Sequence, residues 1–134
     1  YEIGSGLVGS EMCIRDSVSE EARIKGIGVV LDKIAQFGSL PAMIMGDFNV
    51  EEDTETYRSA TENFLDVKYQ TKDPIKSCTY QNWGNRLDDD CIDYIMISKT
   101  GFRVNSYNVV RTTYDGVYPS DHFPITASLT LTQG

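Results

Sequence analysis

Three short motifs carry residues able to do chemistry together. Gly46-Asp47-Phe48-Asn49 closes a short apolar run, Ile92-Asp93-Tyr94-Ile95 opens another, and Ser120-Asp121-His122 precedes the last alternating stretch of the chain. His122 is the only histidine. A carboxylate at a strand's end, such as Asp47, can orient a water molecule or accept its proton. The amide two residues on, Asn49, points to the same side if strand geometry continues. Asp93 alternates with Ile95 and Ile97 and therefore faces the core side of its strand. An ionised carboxylate there is costly unless it is paired or hydrogen-bonded. Oxygen ligands of this kind hold a hard cation such as Mg²⁺. With a carboxylate to position water and a histidine to stabilise charge on phosphoryl oxygens, they form the set that phosphoester hydrolysis needs.

Each motif alone is ordinary. Asp and Asn after a strand are common turn residues, Asp93 could pair with Arg86, and an Asp-His pair before a strand is usually a loop feature. All three in this order, each at a strand end or in a strand, is far harder to obtain from turns. A serine hydrolase built from Ser120, Asp93 and His122 is disfavoured. Ser120 lies two residues from His122 and no Gly-x-Ser-x-Gly elbow surrounds it. The acidic run Asp88-Asp89-Asp90 lacks the spacing of a Ca²⁺ loop and reads as a solvated stretch.

The elements that must position these residues are readable from periodicity. Ser17-Val18-Ser19-Glu20 fits a capping box. Ile24, Ile27, Leu31 and Ile34 follow at helical spacing, widened by Val30 and Ala35, with Gly38 as the stop. Pro41 to Met45 reads as a short strand, central in its sheet because both faces are apolar. Asp53 or Thr54 caps a second helix whose apolar side is Tyr57, Ala60 and Phe64. Cys78 to Tyr80, Cys91 to Ser98 and Phe102 to Thr112 read as strands, and Asn82 to Asn85 as a turn. In the last strand Ile125, Ala127, Leu129 and Leu131 alternate with Thr126, Ser128 and Thr130, one face buried and one wet. Two helices interleaved with about five strands predict α/β layers over a largely antiparallel or mixed sheet. Trp83, with Tyr80 and Asn82, sits on a loop near the Asp93 strand, where it either packs into the structure or offers a stacking face to a substrate.

Composition narrows the class. The 134 residues support one modest core, and 40% hydrophobic with 24% charged residues is a globular balance. No apolar run approaches the length of a spanning helix. The net charge of −8 opposes a broad electrostatic footprint on nucleic acid, although a cation held in an acidic centre still attracts phosphate. Cys13, Cys78 and Cys91 form no metal motif. Cys78 and Cys91 could face each other as a disulfide, but read better as two semi-buried thiols. Residues 1–16 have no helical or strand period and no signal-peptide pattern. Gly6-Leu-Val-Gly-Ser-Glu-Met-Cys-Ile-Arg-Asp-Ser17 looks like translated adapter sequence joined to a truncated frame. Without residues 1–16 three acids and one base leave the count, and the net charge becomes −6.

The order Gly-Asp-Phe-Asn at 46–49, Ile-Asp-Tyr-Ile at 92–95 and Ser-Asp-His-Phe-Pro-Ile at 120–125, closing on an alternating strand, resembles the endonuclease/exonuclease/phosphatase superfamily. The likeness runs from about Ser19 to Leu131 and includes Glu21-Ala22-Arg23 and Thr79-Tyr80. It implies a DNase I-like four-layer α/β sandwich, here as its C-terminal half, so that residues 17–134 form a partial domain after a non-native segment at 1–16. It implies Mg²⁺ or Mn²⁺ as cofactor. Asp47 would orient or deprotonate water, and Asn49 would bind phosphate and steady Asp47. Asp93 would hold the imidazole of His122, which stabilises the transition state. Asp121, with Asp47, would bind the metal. The substrate would be a phosphoester: nucleic acid, a phospholipid head group or a small phosphate ester.

This chain departs from the family in lacking the early Asn, the metal-binding Glu and the mid-chain His or Tyr of the first half. The expectation is therefore an enzyme family member that by itself turns over slowly or not at all. The alternative is a catalytically inactive fragment or binding module. No stable protein partner is inferred, self-association through the exposed sheet is expected, and the compartment is left open between cytoplasmic and secreted.

Overall fold

The computed structural model describes residues 20–72, 74–75, 78–86 and 91–132. Ser17, Cys13, Asp88-Asp89-Asp90 and the segment 1–16 lie outside these. The stripe from Ile24 to Ile34 forms helix α1 (Glu20–Ala35), with Glu20 and Glu21 in its first turn and Lys33 in its last, as the helix dipole favours. Its last amides close tight turns: Phe37 N donates to Ile34 O at 2.9 Å and Gly38 N to Ala35 O at 3.1 Å. Gly38 then takes a left-handed φ of 71°, which costs a glycine little. The expected capping box with Ser17 lies outside the described residues; the Glu20 carboxylate accepts from Glu55 N at 2.5 Å and Thr56 N at 3.3 Å. It satisfies the start of helix α2 (Glu55–Thr61), whose N-cap is Thr54.

Strand β1 spans Met43–Asp47, two residues later than the apolar run suggests. Pro41 has no N–H to give a ladder, and Ala42 N donates to the Ser98 side chain instead. Strands β2 (Phe64–Asp66) and β3 (Asp93–Ser98) complete an antiparallel sheet in the order β1-β3-β2. The central strand is thus β3, not β1, a correction to the expectation. Both faces of β3 are covered, whereas Met43 and Met45 on β1 remain 41% and 48% exposed. Phe64, expected on the second helix, pairs with Ser98 in β2 instead. The backbone groups along the far edge of β3 need partners, and that long-range demand overrides the local helical spacing.

Strands β4 (Phe102–Val109) and β5 (Ile125–Leu131) form a separate antiparallel pair. The segment Cys78–Tyr80, expected as a strand, contributes only a single bridge between Tyr80 and His122. Cys78 and Cys91 are buried free thiols. Burial pushes the Cys91 thiol up to about 11, so it is no nucleophile at neutral pH.

Two cores meet at β3. Tyr94 and Met96 point to one side and pack with Ile27, Ile44, Tyr57, Ala60 and Phe64. Ile95 and Ile97 point to the other and pack with Val67 and Tyr107, flanked by residues of β4 and β5. The described layers are therefore helices, a three-stranded sheet and a two-stranded sheet, a mixed α and β architecture with antiparallel pairing. No helix among the described residues is long and apolar enough to cross a membrane.

Sequence patterning did not reveal Lys68. Its side chain is 2% exposed, ion-paired to Glu52 and 4.0 Å from Asp66 Oδ2. Asp66 in turn accepts from Tyr57 Oη at 2.9 Å and from Lys68 N at 3.0 Å. Removing one member of a buried ion pair leaves an uncompensated charge. Lys68→Ala is expected to cost about 3–5 kcal/mol in urea unfolding. Lys25→Ala, which breaks the exposed Lys25–Glu21 pair, should cost no more than about 0.5 kcal/mol. Equal costs would show that the buried pair does not stabilise the fold.

Candidate functional site

The β1–β3 register sets Asp47 directly opposite Asp93. Gly46, just before, has φ of 146°, a region L side chains rarely enter. Strand geometry does not continue to Asn49, contrary to the expectation, because Asn49 takes a left-handed φ of 53°. The turn folds Asn49 back onto Asp47: its N–H reaches Oδ1 at 2.7 Å and its Nδ2 reaches Oδ2 at 2.9 Å. Asn tolerates this conformation better than most residues. Both oxygens of Asp47 thereby take a hydrogen bond from a single residue.

His122 arrives from the loop before β5. Its Nδ1 lies 2.8 Å from Asp93 Oδ2, and its Nε2 lies 4.0 Å from Asp47 Oδ2. The first distance is a hydrogen bond and the second is too long for one. An Nδ1–H given to Asp93 leaves Nε2 facing Asp47, as an acceptor when the ring is neutral and a donor when it is protonated. Donor atoms of Asp47, Asp93 and His122 all lie within 4.8 Å of one another, and all three residues are half-buried. Asp121 is outside that group. Its carboxylate accepts from Ser120 Oγ at 3.4 Å, and its charge bears on His122 from one residue away.

Electrostatics tie the cluster together. Burial, and then the Asp93 charge, hold the Asp47 carboxyl above its ordinary value, against the hydrogen bonds from Asn49 that favour ionisation. For His122, burial works against protonation. The hydrogen bond to Asp93, then the charges of Asp93, Asp47 and Asp121, outweigh it and raise the imidazole above its ordinary value.

Within the loop 78–86, sequence reasoning placed Trp83 near the site but missed the buried Thr79 and Gln81. Thr79 and Gln81 are fully buried and bond to the Asp93 strand and the Ser120–His122 loop respectively. The only available signal was the alternation of two polar residues around Tyr80, whose ring lies 5.1 Å from the His122 ring. Trp83 is not a core residue. It is 57% exposed and, like Asn82 before it, has a left-handed φ.

Known proteins resemble this chain in sequence and in fold. The sequence pattern described as the Endonuclease/Exonuclease/phosphatase family matches residues 16–122. Human nocturnin is 27% identical over 118 residues, covering 77% of this chain and 27% of nocturnin. A functionally unknown conserved protein from Enterococcus faecalis superposes with a TM-score of 0.76 at 29% identity, covering 86% of this chain and 46% of that one. A mannosyl-6-phosphatase from Bacteroides thetaiotaomicron superposes with a TM-score of 0.69 at 26% identity, covering 87% and 48%. The chain thus spans about half the length of these solved structures.

A single histidine makes the electrostatic account measurable. NMR titration is expected to place the His122 pKa above about 6.5, with Asp93→Asn lowering it. The linkage has a definite sign. Stabilisation from His122 is fully present below its unfolded pKa and is lost as pH rises through the higher folded value. Asp47, also raised, loses stability as pH rises from its unfolded pKa through its folded one, so both limbs slope the same way. His122→Gln should flatten the upper limb of stability against pH. An unchanged upper limb would refute the assignment.

Proposed function

The chain belongs to the endonuclease/exonuclease/phosphatase family, and on that premise we propose that its Asp47–Asp93–His122 centre hydrolyses phosphoester bonds with a divalent cation. The observation that carries this reading is the 4.0 Å gap between Asp47 Oδ2 and His122 Nε2. An oxygen atom about 2.8 Å from each spans such a gap. The attacking water or a phosphoryl oxygen would occupy it. Asp47, steadied by Asn49, orients the water and takes its proton, a task suited to a carboxylate of raised pKa. Protonated His122 presents Nε2–H to the charge that develops on the phosphoryl group. Asp93 fixes the ring so that Nε2 rather than Nδ1 faces the reaction. Asn49 also donates to the phosphate.

The donor set fits a hard cation. Mg²⁺ uses one or two carboxylates and keeps several waters, and Asp47 and Asp93 lie within reach of a common point. Asp47 would hold the cation with Asp93 beside it, and Asp121, outside that group, would join directly or through water. A bound Mg²⁺ or Mn²⁺ supplies charge neutralisation at the phosphoryl oxygens and a more acidic water. A small phosphate ester suits the net charge of −8 better than long duplex DNA. The mannosyl-6-phosphatase likeness favours the same class. Trp83, exposed on the loop bonded to Asp121 O, offers a flat face for the organic part of such a substrate.

A second reading, weak cation binding with little or no turnover, draws on the engagement of Asp93 with His122. Hydrolysis of p-nitrophenyl phosphate and its bis ester, with Mg²⁺ or Mn²⁺, separates the readings. The hydrolase reading expects turnover lost in EDTA and reduced about 10²- to 10⁴-fold in His122→Ala. Turnover that survives either treatment refutes it. No turnover, with Mn²⁺ bound weakly in calorimetry, supports the second reading.

A further inference from the structure

The Asp93–His122 hydrogen bond joins a strand to a loop 29 residues away in sequence. Neither motif contains anything that sets the distance between them. The intervening strip 79–82 touches both. On one side the Thr79 hydroxyl accepts from Ile92 N at 3.0 Å and Asp93 N at 3.1 Å. That uses both lone pairs of one oxygen and anchors the backbone from which Asp93 projects. On the other side Phe123 N donates to Thr79 O at 2.6 Å, and Gln81 N and Asn82 N donate to Asp121 O at 2.8 and 3.1 Å. These bonds flank His122 in sequence.

The Gln81 side chain adds a second attachment. Its Nε2 donates to Ser120 O at 2.5 Å, and its Oε1 accepts from Gly84 N at 2.5 Å. The amide is completely buried, so losing either partner would leave a polar group without water. Gly84 closes the loop against Tyr118, where a Cβ would come within 2.6 Å of the ring, and its φ of 84° suits glycine. Every hydrogen-bonded connection named here runs from backbone or buried side chain to backbone. The strip therefore acts as a spacer with few soft degrees of freedom.

We infer that Thr79 and Gln81 are positioning residues, a bracket that sets the spacing and orientation of the Asp93–His122 pair. Neither touches the reacting atoms in this reading. The bracket itself is independent of the reaction. What the positioned pair accomplishes rests on the hydrolase reading above.

The test uses the one histidine of the full chain. The Nδ1–H proton shared with Asp93 gives a downfield NMR resonance that global stability does not move. Thr79→Val removes the hydroxyl at nearly constant shape, Thr79→Ser keeps it, and Gln81→Met removes both amide bonds. Circular dichroism and thermal unfolding first identify the folded variants. The bracket predicts that Thr79→Val and Gln81→Met lose or shift the resonance upfield while Thr79→Ser retains it. Where hydrolysis is measurable, kcat should fall about 10- to 100-fold with KM little changed.

Should Thr79→Val fail to fold, Gln81→Glu carries the test. Glutamate still accepts from Gly84 N but sets a carboxylate against Ser120 O, and the resonance should again be lost. An unchanged resonance in folded Gln81→Met or Gln81→Glu overturns the bracket, as does a Thr79→Ser protein that behaves like Thr79→Val. A wild-type protein that hydrolyses no phosphoester, yet loses the resonance on these substitutions, refutes the hydrolase reading and supports the bracket.

Discussion

Like charges directly opposite on neighbouring strands destabilise a sheet, and Asp47 and Asp93 are such a pair. Much of the local structure answers to that juxtaposition. Asn49 gives up ordinary strand geometry for a left-handed turn and places an N–H on each oxygen of Asp47. His122 sets one ring nitrogen against Asp93 and faces Asp47 with the other. The two carboxylates are held close, with ligand atoms within 4.8 Å, and a cation or a proton would relieve their repulsion. Asp47 is raised first by burial and then by the Asp93 charge, while the bond to Asp93 and the surrounding carboxylates raise His122 against its burial.

The register that creates the pair is enforced from outside the site. A slip of one residue along β3 would exchange its two faces. Tyr94 and Met96 would then leave the core beneath the helices, and Ile95 and Ile97 the core beneath β4 and β5. Because both faces are buried, either error is costly. Tyr94 adds a local lock: its hydroxyl donates to Val50 O at 2.9 Å and its ring packs edge-on against Phe48 at 5.2 Å. The turn holding Asp47 and Asn49 is thus fastened to the residue that follows Asp93. The apolar packing of β3 and the chemistry of the site are one constraint seen at two scales.

Motif chemistry was readable in the linear chain because it depends on residue type. An aspartate after a strand, one inside a strand and an Asp-His pair before a strand are visible without coordinates. Helix α1, the last strand and the strand from Cys91 were equally visible, since their apolar periods of 3.6 and 2 reflect local geometry. Phe64 fitted a helical stripe and joined a strand, and the apolar Met43 and Met45 suggested a central strand where β3 holds the centre. The burial of Lys68, Thr79 and Gln81 was not legible, because polar residues in a core are selected by partners distant in sequence. The sequence by itself determined which groups are present and on which kind of element each stands. Only the tertiary structure decided their distances, since hydrogen bonds and burial between remote segments have no period along the chain.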